Sequence, residues 1–391
     1  MNLDASSTLG RSAEGVHPLA RELGEWAEVL GQKGEKPFRA RQVFRWLHER
    51  GELDPERMTD LSLSLRRVLG EGGSLEPGRL ADSKTATDGT RKLLVDFAHG
   101  AKVECVLIPM TAEATDADAA AAALDEDEAG IPVQKKRITL CISTQFGCAM
   151  GCVFCASGQA GLFRGLGAAE VLYQVLLARR CLLPDEELRN LVLMGMGEPL
   201  HHYEETARAL RLLTSPEARG MSPRRITVST VGLVPGIRRL GEDFGGKVGL
   251  AVSLHAPNDE VRSRLIPMNR RYPIAELMAA LEAYPLPPRR RITIEYTLIG
   301  GVNDSLAQAD ELGRLLRRLR VKVNLIPLNT TKASDLRPPT PEATLRFRER
   351  LAQNGYSCFV RTRRGDDVDA ACGQLAMQAI DPTRLVRRPS S

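Results

Sequence analysis

The 391-residue chain has no run approaching the roughly 18 apolar residues that a membrane-spanning helix needs, so no span is expected. Its first thirty residues lack the apolar h-region of a secretory signal and carry Asp4, Arg11, Glu14, Arg21 and Glu22 instead. A cytoplasmic protein is the expectation. The compositional skew of a disordered or fibrous chain is missing too: 43% hydrophobic and 26% charged residues are ordinary for a globular protein. The length suggests two or three domains. Positive charge is absent from one conspicuously acidic segment. Residues 111–134 hold seven acids (Glu113, Asp116, Asp118, Asp125, Glu126, Asp127 and Glu128) and no Lys or Arg. The whole chain carries +5, so setting that segment aside leaves +12 on the remainder, enough to suit a polyanionic partner.

Cysteine, by contrast, is clustered. Eight are present, and Cys148, Cys152 and Cys155 fall within eight residues. In a reducing compartment such residues are metal ligands, catalytic thiols or core more often than disulfides.

Residues 1–20 are rich in Ser, Gly and Ala without apolar periodicity and read as a mobile tail. From 21 to 83 the pattern is helical: Leu19, Leu23, Trp26 and Leu30 recur at helical spacing, as do Val43, Phe44 and Leu47, and Leu61, Leu65 and Leu69. Six Lys or Arg and two acids fall between 33 and 50, interleaved with aromatics, which suits a small helical accessory domain contacting RNA. Residues 84–110 switch to strand character around Leu93–Phe97 and Val103–Ile108. The acidic segment 111–134 has little to bury and reads as a disordered insertion. From 135 to 380, β-rich runs at Ile138–Ser143, Leu191–Met196, Ile226–Thr230, Gly249–Leu254, Ile292–Leu298 and Val321–Pro327 alternate with helical stretches. Residues 381–391 form a tail. The fold class expected is α/β: a partial (β/α)6 barrel with the helical accessory domain in front. In such barrels chemistry gathers at the C-terminal ends of the strands.

The motif Cys148-x3-Cys152-x2-Cys155 follows the first barrel strand. Three thiolates can each hold one iron of a four-iron cluster, and full protein ligation would need a fourth cysteine, so one iron stays open. Zinc is the alternative, but it wants a second ligand pair at finger spacing. The nearest histidines, His201 and His202, lie about fifty residues on, past another strand. Gly197-Glu198 ends the second strand, where a carboxylate can accept hydrogen bonds from an ammonium group. Ser229 and Ser253-Leu254-His255 fall at the same rim. A histidine placed like His255 is more often a hydrogen-bonded structural residue than a catalytic one.

These motifs resemble the radical S-adenosylmethionine superfamily, and within it the RlmN/Cfr group of RNA methyltransferases. The likeness rests on the cysteine loop, Gly195-Met196-Gly197-Glu198-Pro199-Leu200, Ser253–Asn258, Asn324-Leu325-Ile326-Pro327 and Arg364–Leu375, and covers residues 20–380. It implies a [4Fe-4S] cluster on Cys148, Cys152 and Cys155. It implies S-adenosylmethionine held at the open iron and by Gly197, Glu198, Ser229, Ser253, Leu254, His255 and Asn329. It further implies that Cys372 is methylated and carries the carbon, that Cys141 resolves the adduct through a transient disulfide with Cys372, and that Glu104 is a proton acceptor. The substrates implied are C2 of the peptidyl-transferase-region adenosine of 23S ribosomal RNA, before ribosome assembly is complete, and the adenosine 3′ of the anticodon in tRNA. A monomer served by a flavodoxin or ferredoxin is expected. Candidate phosphate contacts are Arg39, Arg41 and Arg45, Arg289–Arg291, and Arg361, Arg363 and Arg364. Two alternatives stand: methylation at C8, as in the Cfr branch, and a non-catalytic zinc-holding RNA-binding module. The Gly365-Asp366-Asp367 lead-in is more like the RlmN branch. Cys105, Cys181 and Cys358 match nothing catalytic and read as core.

Overall fold

The computed structural model describes residues 15–71, 73–110, 135–218, 220–330, 334–362, 364–371 and 373–375. Of the mobile tail expected over 1–20, residues 1–14 lie outside the described residues, as do the acidic insertion 111–134, the tail 381–391, Arg363 and Cys372. Pro18–Ala20, by contrast, form a helical turn with Leu19 and Ala20 buried, so the ordered chain begins before 21.

Three helices open the described chain: α1 (Leu23–Gln32), α2 (Phe38–His48) and α3 (Leu63–Gly70). Their inward positions, among them Trp26, Leu30, Val43, Phe44, Leu47 and Leu65, are buried as the helical spacing predicts. Three antiparallel strands follow: β1 (Gly78–Thr85), β2 (Arg91–Phe97) and β3 (Ala101–Pro109). β3 then pairs antiparallel with β4 (Lys136–Cys141). Beyond it a hairpin of β5 (Gln145–Gly147) and β6 (Leu162–Gly165) encloses the cysteine loop and the short helix α4 (Ala156–Ala160).

The rest alternates α5 (Ala168–Arg180), β7 (Glu186–Leu193), α6 (Tyr203–Leu213), β8 (Ile226–Thr230), α7 (Val234–Phe244) and β9 (Gly249–Ser253). Then come α8 (Asp259–Leu265), α9 (Ile274–Glu282), β10 (Ile292–Leu298), α10 (Leu306–Leu316), β11 (Val321–Pro327), α11 (Pro341–Gln353) and β12 (Cys358–Val360). One ten-stranded sheet has the order β1-β2-β3-β4-β7-β8-β9-β10-β11-β12, parallel from β4 onward. β1 and β12 are its two edges, so the sheet is an open barrel, as expected. Six parallel strands were legible. The seventh, β12, is three residues long.

Register sorts the side chains. Leu140, Leu191, Val228, Val252, Ile294 and Val323 are wholly buried on the face that meets the helices. Cys141, Val192 and Thr227 are direct partners on the other face, as are Ser253, Glu295 and Asn324 two layers higher. Val106 pairs with Cys141 and lies two residues from Glu104, so Glu104 shares this concave face. Among the described residues, no helix is long and apolar enough to cross a membrane.

Candidate functional site

A cleft of about 150 Å³ opens at the C-terminal ends of the parallel strands. Gly197, Glu198, Ser229, Ser253, His255 and Asn329 line it, together with Cys155 from the cysteine loop and Gly373 from the C-terminal segment. Of the residues expected to hold S-adenosylmethionine, Leu254 alone does not face this cleft. It is wholly buried behind the strand ends.

The cysteine loop is fixed from three sides. Cys148 N donates to Gly161 O (2.9 Å) on the hairpin, Val153 N to Leu265 O (3.1 Å) at the end of α8, and Ala156 N to Gly373 O (2.9 Å). Cys148 and Cys152 are buried and Cys155 half-buried. Burial pushes the Cys148 thiol up to about 12 and the Cys152 thiol well above its usual value, and the nearness of Cys155 pushes both further. Two buried thiols that resist ionisation unaided, with a third close by, suit a site where iron supplies the compensating charge. Among the described residues, no three His, Cys, Asp or Glu side chains converge to hold a single metal ion. A cluster that gives each thiolate its own iron requires no such convergence.

The turn after β7 explains the Gly-Glu pair. The described strand ends at Leu193, so Glu198 stands in the loop beyond it rather than at the strand end. Gly197 has φ of 104°, and a Cβ there would stand 2.6 Å from Gln145 Cβ. Only glycine suits both demands. Gln145 holds the loop, accepting Glu198 N at Oε1 (2.9 Å), with its Nε2 3.0 Å from His201 Nδ1. The Glu198 carboxylate accepts Leu200 N (3.0 Å) and Val231 N (2.9 Å). Burial nonetheless raises it to about 7. Glu198 is therefore poised to ionise when a cation arrives.

His255 behaves as the structural reading expects. Its Nδ1 accepts Thr297 N (2.8 Å), and its carbonyl accepts Asn303 Nδ2 (2.7 Å). Burial lowers it to about 3, so it is neutral at physiological pH.

Glu104 and Cys141 stand on the concave face, back from the cleft. Cys141 is the last residue of β4. Glu104 pairs with Lys92, Nζ to Oε1 3.1 Å, and the same Nζ donates to Asp369 O (3.2 Å). The C-terminal segment is anchored further by Gly365 N on Asp88 Oδ2 (3.0 Å), Thr87 N on Asp367 Oδ2 (3.0 Å) and Ser157 Oγ on Leu375 O (2.9 Å). Position 372 thus falls between two anchored stretches. Of the three cysteines read as core, Cys105 is buried in it, whereas Cys181, at the end of α5, and Cys358, on β12, are half-buried at its margin, and burial opposes the ionisation of all three.

Lys92, Gln145, Arg262 and Glu295 are site residues that the sequence reading missed. Lys92 and Glu104 become diagonal neighbours only once the β2–β3 register is known (Lys92 opposite Val106, Leu94 opposite Glu104). The basic groups are not brought together. Arg361 follows β12 and borders the cleft. Arg289–Arg291 precede Ile292, the first residue of β10, and so lie at the opposite rim. Arg41 and Arg45 flank a groove shared with Pro216 and Glu217, which lead toward the N-terminal end of β8.

Residues 21–72 match the family model described as the ribosomal RNA large subunit methyltransferase N-terminal domain, and residues 142–316 match the radical SAM superfamily. The chain is 57% identical to the dual-specificity RNA methyltransferase RlmN of Sorangium cellulosum, covering 94% of this chain and 97% of that one. It is 44% identical to the protein of the same name from Marinobacter nauticus, covering 96% and 97%. Among solved structures it resembles a radical SAM methyltransferase from Sphaerobacter thermophilus, with TM-score 0.81 and 44% identity over 93% of this chain and 99% of that one.

Proposed function

The chain belongs to the RlmN family of radical S-adenosylmethionine RNA methyltransferases, and we propose that it methylates C2 of adenosine 2503 in 23S ribosomal RNA and of adenosine 37 in some transfer RNAs. The observation that carries this reading is the meeting of three elements at one strand-end cleft: the three-cysteine loop, the Glu198 turn and the anchored C-terminal segment.

On this reading Cys148, Cys152 and Cys155 hold a [4Fe-4S] cluster with one iron left for S-adenosylmethionine. Bound together, cluster and cofactor supply a hydrogen-abstracting 5′-deoxyadenosyl radical after one electron arrives from a flavodoxin or ferredoxin. Glu198, once ionised, takes the ammonium group of S-adenosylmethionine, and Gly197, Ser229, Ser253, His255 and Asn329 wall the cofactor in. Leu254 shapes the strand end from behind.

The C2 carbon of adenine is electron-poor and will not attack a methyl donor directly. Cys372 therefore takes the methyl by displacement, gives up one hydrogen atom of that methyl to the radical, and carries the carbon to C2 as a covalent protein–RNA link. Glu104 accepts the C2 proton, with Lys92 holding its carboxylate in place, and the one surplus electron of the adduct would leave by way of the cluster site. The Cys141 thiolate then attacks Cys372 Sγ. The carbon–sulfur bond breaks toward carbon, which picks up a proton, and the product RNA leaves. The Cys141–Cys372 disulfide is returned to thiols by a cellular dithiol, which suits a monomeric enzyme in a reducing cytoplasm. The adenine must leave its stack to enter the cleft.

The test is mass spectrometry of modified nucleosides after anaerobic incubation with protein-free 23S ribosomal RNA and with transfer RNA. 2-Methyladenosine is expected. 8-Methyladenosine would move the chain to the Cfr chemistry, and no methylated product from iron-loaded protein would sink the reading.

A further inference from the structure

Arg262, on α8, is 1% exposed. Its guanidinium donates Nε to Leu254 O (3.1 Å), Nη1 to Asn269 Oδ1 (2.6 Å), and Nη2 to Val231 O (2.5 Å) and Ser253 O (3.3 Å). All four partners are neutral carbonyls. A buried guanidinium ordinarily faces a carboxylate, because desolvating an unpaired charge costs several kcal/mol. The nearby carboxylate, Asp259, is engaged elsewhere: it accepts Asn269 Nδ2 (2.8 Å) and Ile274 N (2.9 Å). Asn269 therefore stands between the acid and the base. Burial lowers Arg262 to about 10, so it keeps its proton at neutral pH.

On its other side lies the cysteine loop. Arg262 and Cys152 interact electrostatically, each favouring the other's charged form, and the Val153 N to Leu265 O bond fastens the loop to the helix that carries Arg262.

We propose that Arg262 is a positioning residue with two tasks: it ties down the strand ends bearing Ser253 and Leu254, and its buried positive charge sets how readily the cluster beside Cys152 is reduced. The second task rests on the assignment of Cys152 as a cluster ligand. Reduction adds one electron, from an external low-potential protein donor, and makes or breaks no bond in the protein. A fixed cation in a low-dielectric setting stabilises the added negative charge and raises the reduction potential.

The experiment compares full-length, anaerobically reconstituted Arg262→Gln, Arg262→Lys and Asp259→Asn with the wild type. Iron content and circular dichroism report loading and folding, and a redox titration followed by electron paramagnetic resonance gives each midpoint without S-adenosylmethionine. Arg262→Gln should titrate at a more negative potential, Arg262→Lys close to wild type. Asp259→Asn, which removes the acid that partly offsets the guanidinium, should shift the opposite way. A purely structural Arg262 predicts no such opposed pair. Wild-type midpoints in iron-loaded Arg262→Gln and Asp259→Asn would overturn the proposal. If Arg262→Gln fails to fold, an unshifted Asp259→Asn overturns it alone. Iron that survives Cys152→Ala would instead remove the ligand assignment, and this inference with it.

Discussion

The ammonium of Lys92 stands 3.1 Å from Glu104 Oε1, and the two side chains are 3% and 1% exposed. Removing one partner of such a pair costs roughly 3–5 kcal/mol, far more than the net value of the pair, because a charge is left behind in the interior. Lys92→Met should therefore lower the melting temperature sharply and release the C-terminal segment from its hold at Asp369 O. Adding Glu104→Gln should restore much of the stability and none of the methylation. Thermal denaturation and turnover measured on both variants decide it. A Lys92→Met protein that melts like the wild type would show that the pair carries no such weight.

The pH dependence follows from three buried groups. Burial holds His48 at about 4 and His255 at about 3, both below the usual histidine value. Both therefore contribute stability above pH 6.5 that is lost as the pH falls toward 3–4. Glu198 is raised to about 7 by burial and acts in the opposite sense, contributing stability below pH 4.5 that is lost as the pH rises through 7. Between pH 4.5 and 6.5 the unfolded chain binds two histidine protons against one held by folded Glu198. These three groups then make stability rise by about 1.4 kcal/mol per pH unit. Urea melts across that range would check the sign. Binding of S-adenosylmethionine should strengthen from pH 5 to 8 and release a proton when Glu198 ionises. Calorimetry in two buffers of different ionisation heat would detect it, and zero proton release near pH 6 would count against Glu198 as the ammonium partner.

Six parallel strands were legible as short apolar and β-branched runs such as Ile226–Thr230 that stand out from their flanks, although only β10 is buried along its whole length. Elements without that signature escaped. β1 begins at Gly78, ahead of the residue 84 switch, because its side chains are mostly exposed and polar and show no alternation. α7 keeps helical spacing at Val234, Ile237, Leu240 and Phe244, but Pro235, Gly236 and Gly241 are residues that discourage a helical reading. The two glycines are packing choices: a Cβ at Gly236 would stand 2.6 Å from Leu200 Cβ, and one at Gly241 2.7 Å from Pro285 Cδ. In the site, the cysteine loop was legible as a local spacing. Gln145, Lys92 and Arg262 were not, since each acts on residues at least seven positions away that only the folded register brings near.

The acidic segment 111–134 joins two strands that are already neighbours. Pro109 of β3 pairs with Ile138 of β4, and Met110 N donates to Arg137 O (2.8 Å). The ends of the segment therefore meet as the ends of a hairpin. Replacing it with a short Gly/Ser turn should leave melting temperature and methylation near wild type. It should also raise nonspecific RNA affinity at low salt and steepen the salt dependence, since seven negative charges are removed. Filter binding across a salt series would show this. Coincident binding curves for the two proteins would mean that the segment does not screen the basic remainder.

Cys141 and Cys372 are assigned opposite acts on one bond, and their single variants should therefore fail differently. On the proposed reading Cys372 forms the link to RNA, so Cys372→Ala should be inactive and carry no attached RNA. On the same reading Cys141 breaks the link, so Cys141→Ala should stall after addition and purify with RNA covalently bound. The double variant should match Cys372→Ala, because a link that never forms cannot be trapped. A merely structural Cys141 predicts another pattern. It is 6% exposed at the end of β4, and loss of so small a buried side chain costs about 1 kcal/mol while turnover continues. Register favours the first pattern, because Cys141 shares the concave face with Glu104 and Thr227 instead of packing against the outer helices with Leu140. Denaturing gels with and without ribonuclease, followed by peptide mass spectrometry at residue 372, separate the two. Normal turnover by Cys141→Ala without an RNA adduct would leave Cys141 a wall residue and require another thiol to release the product.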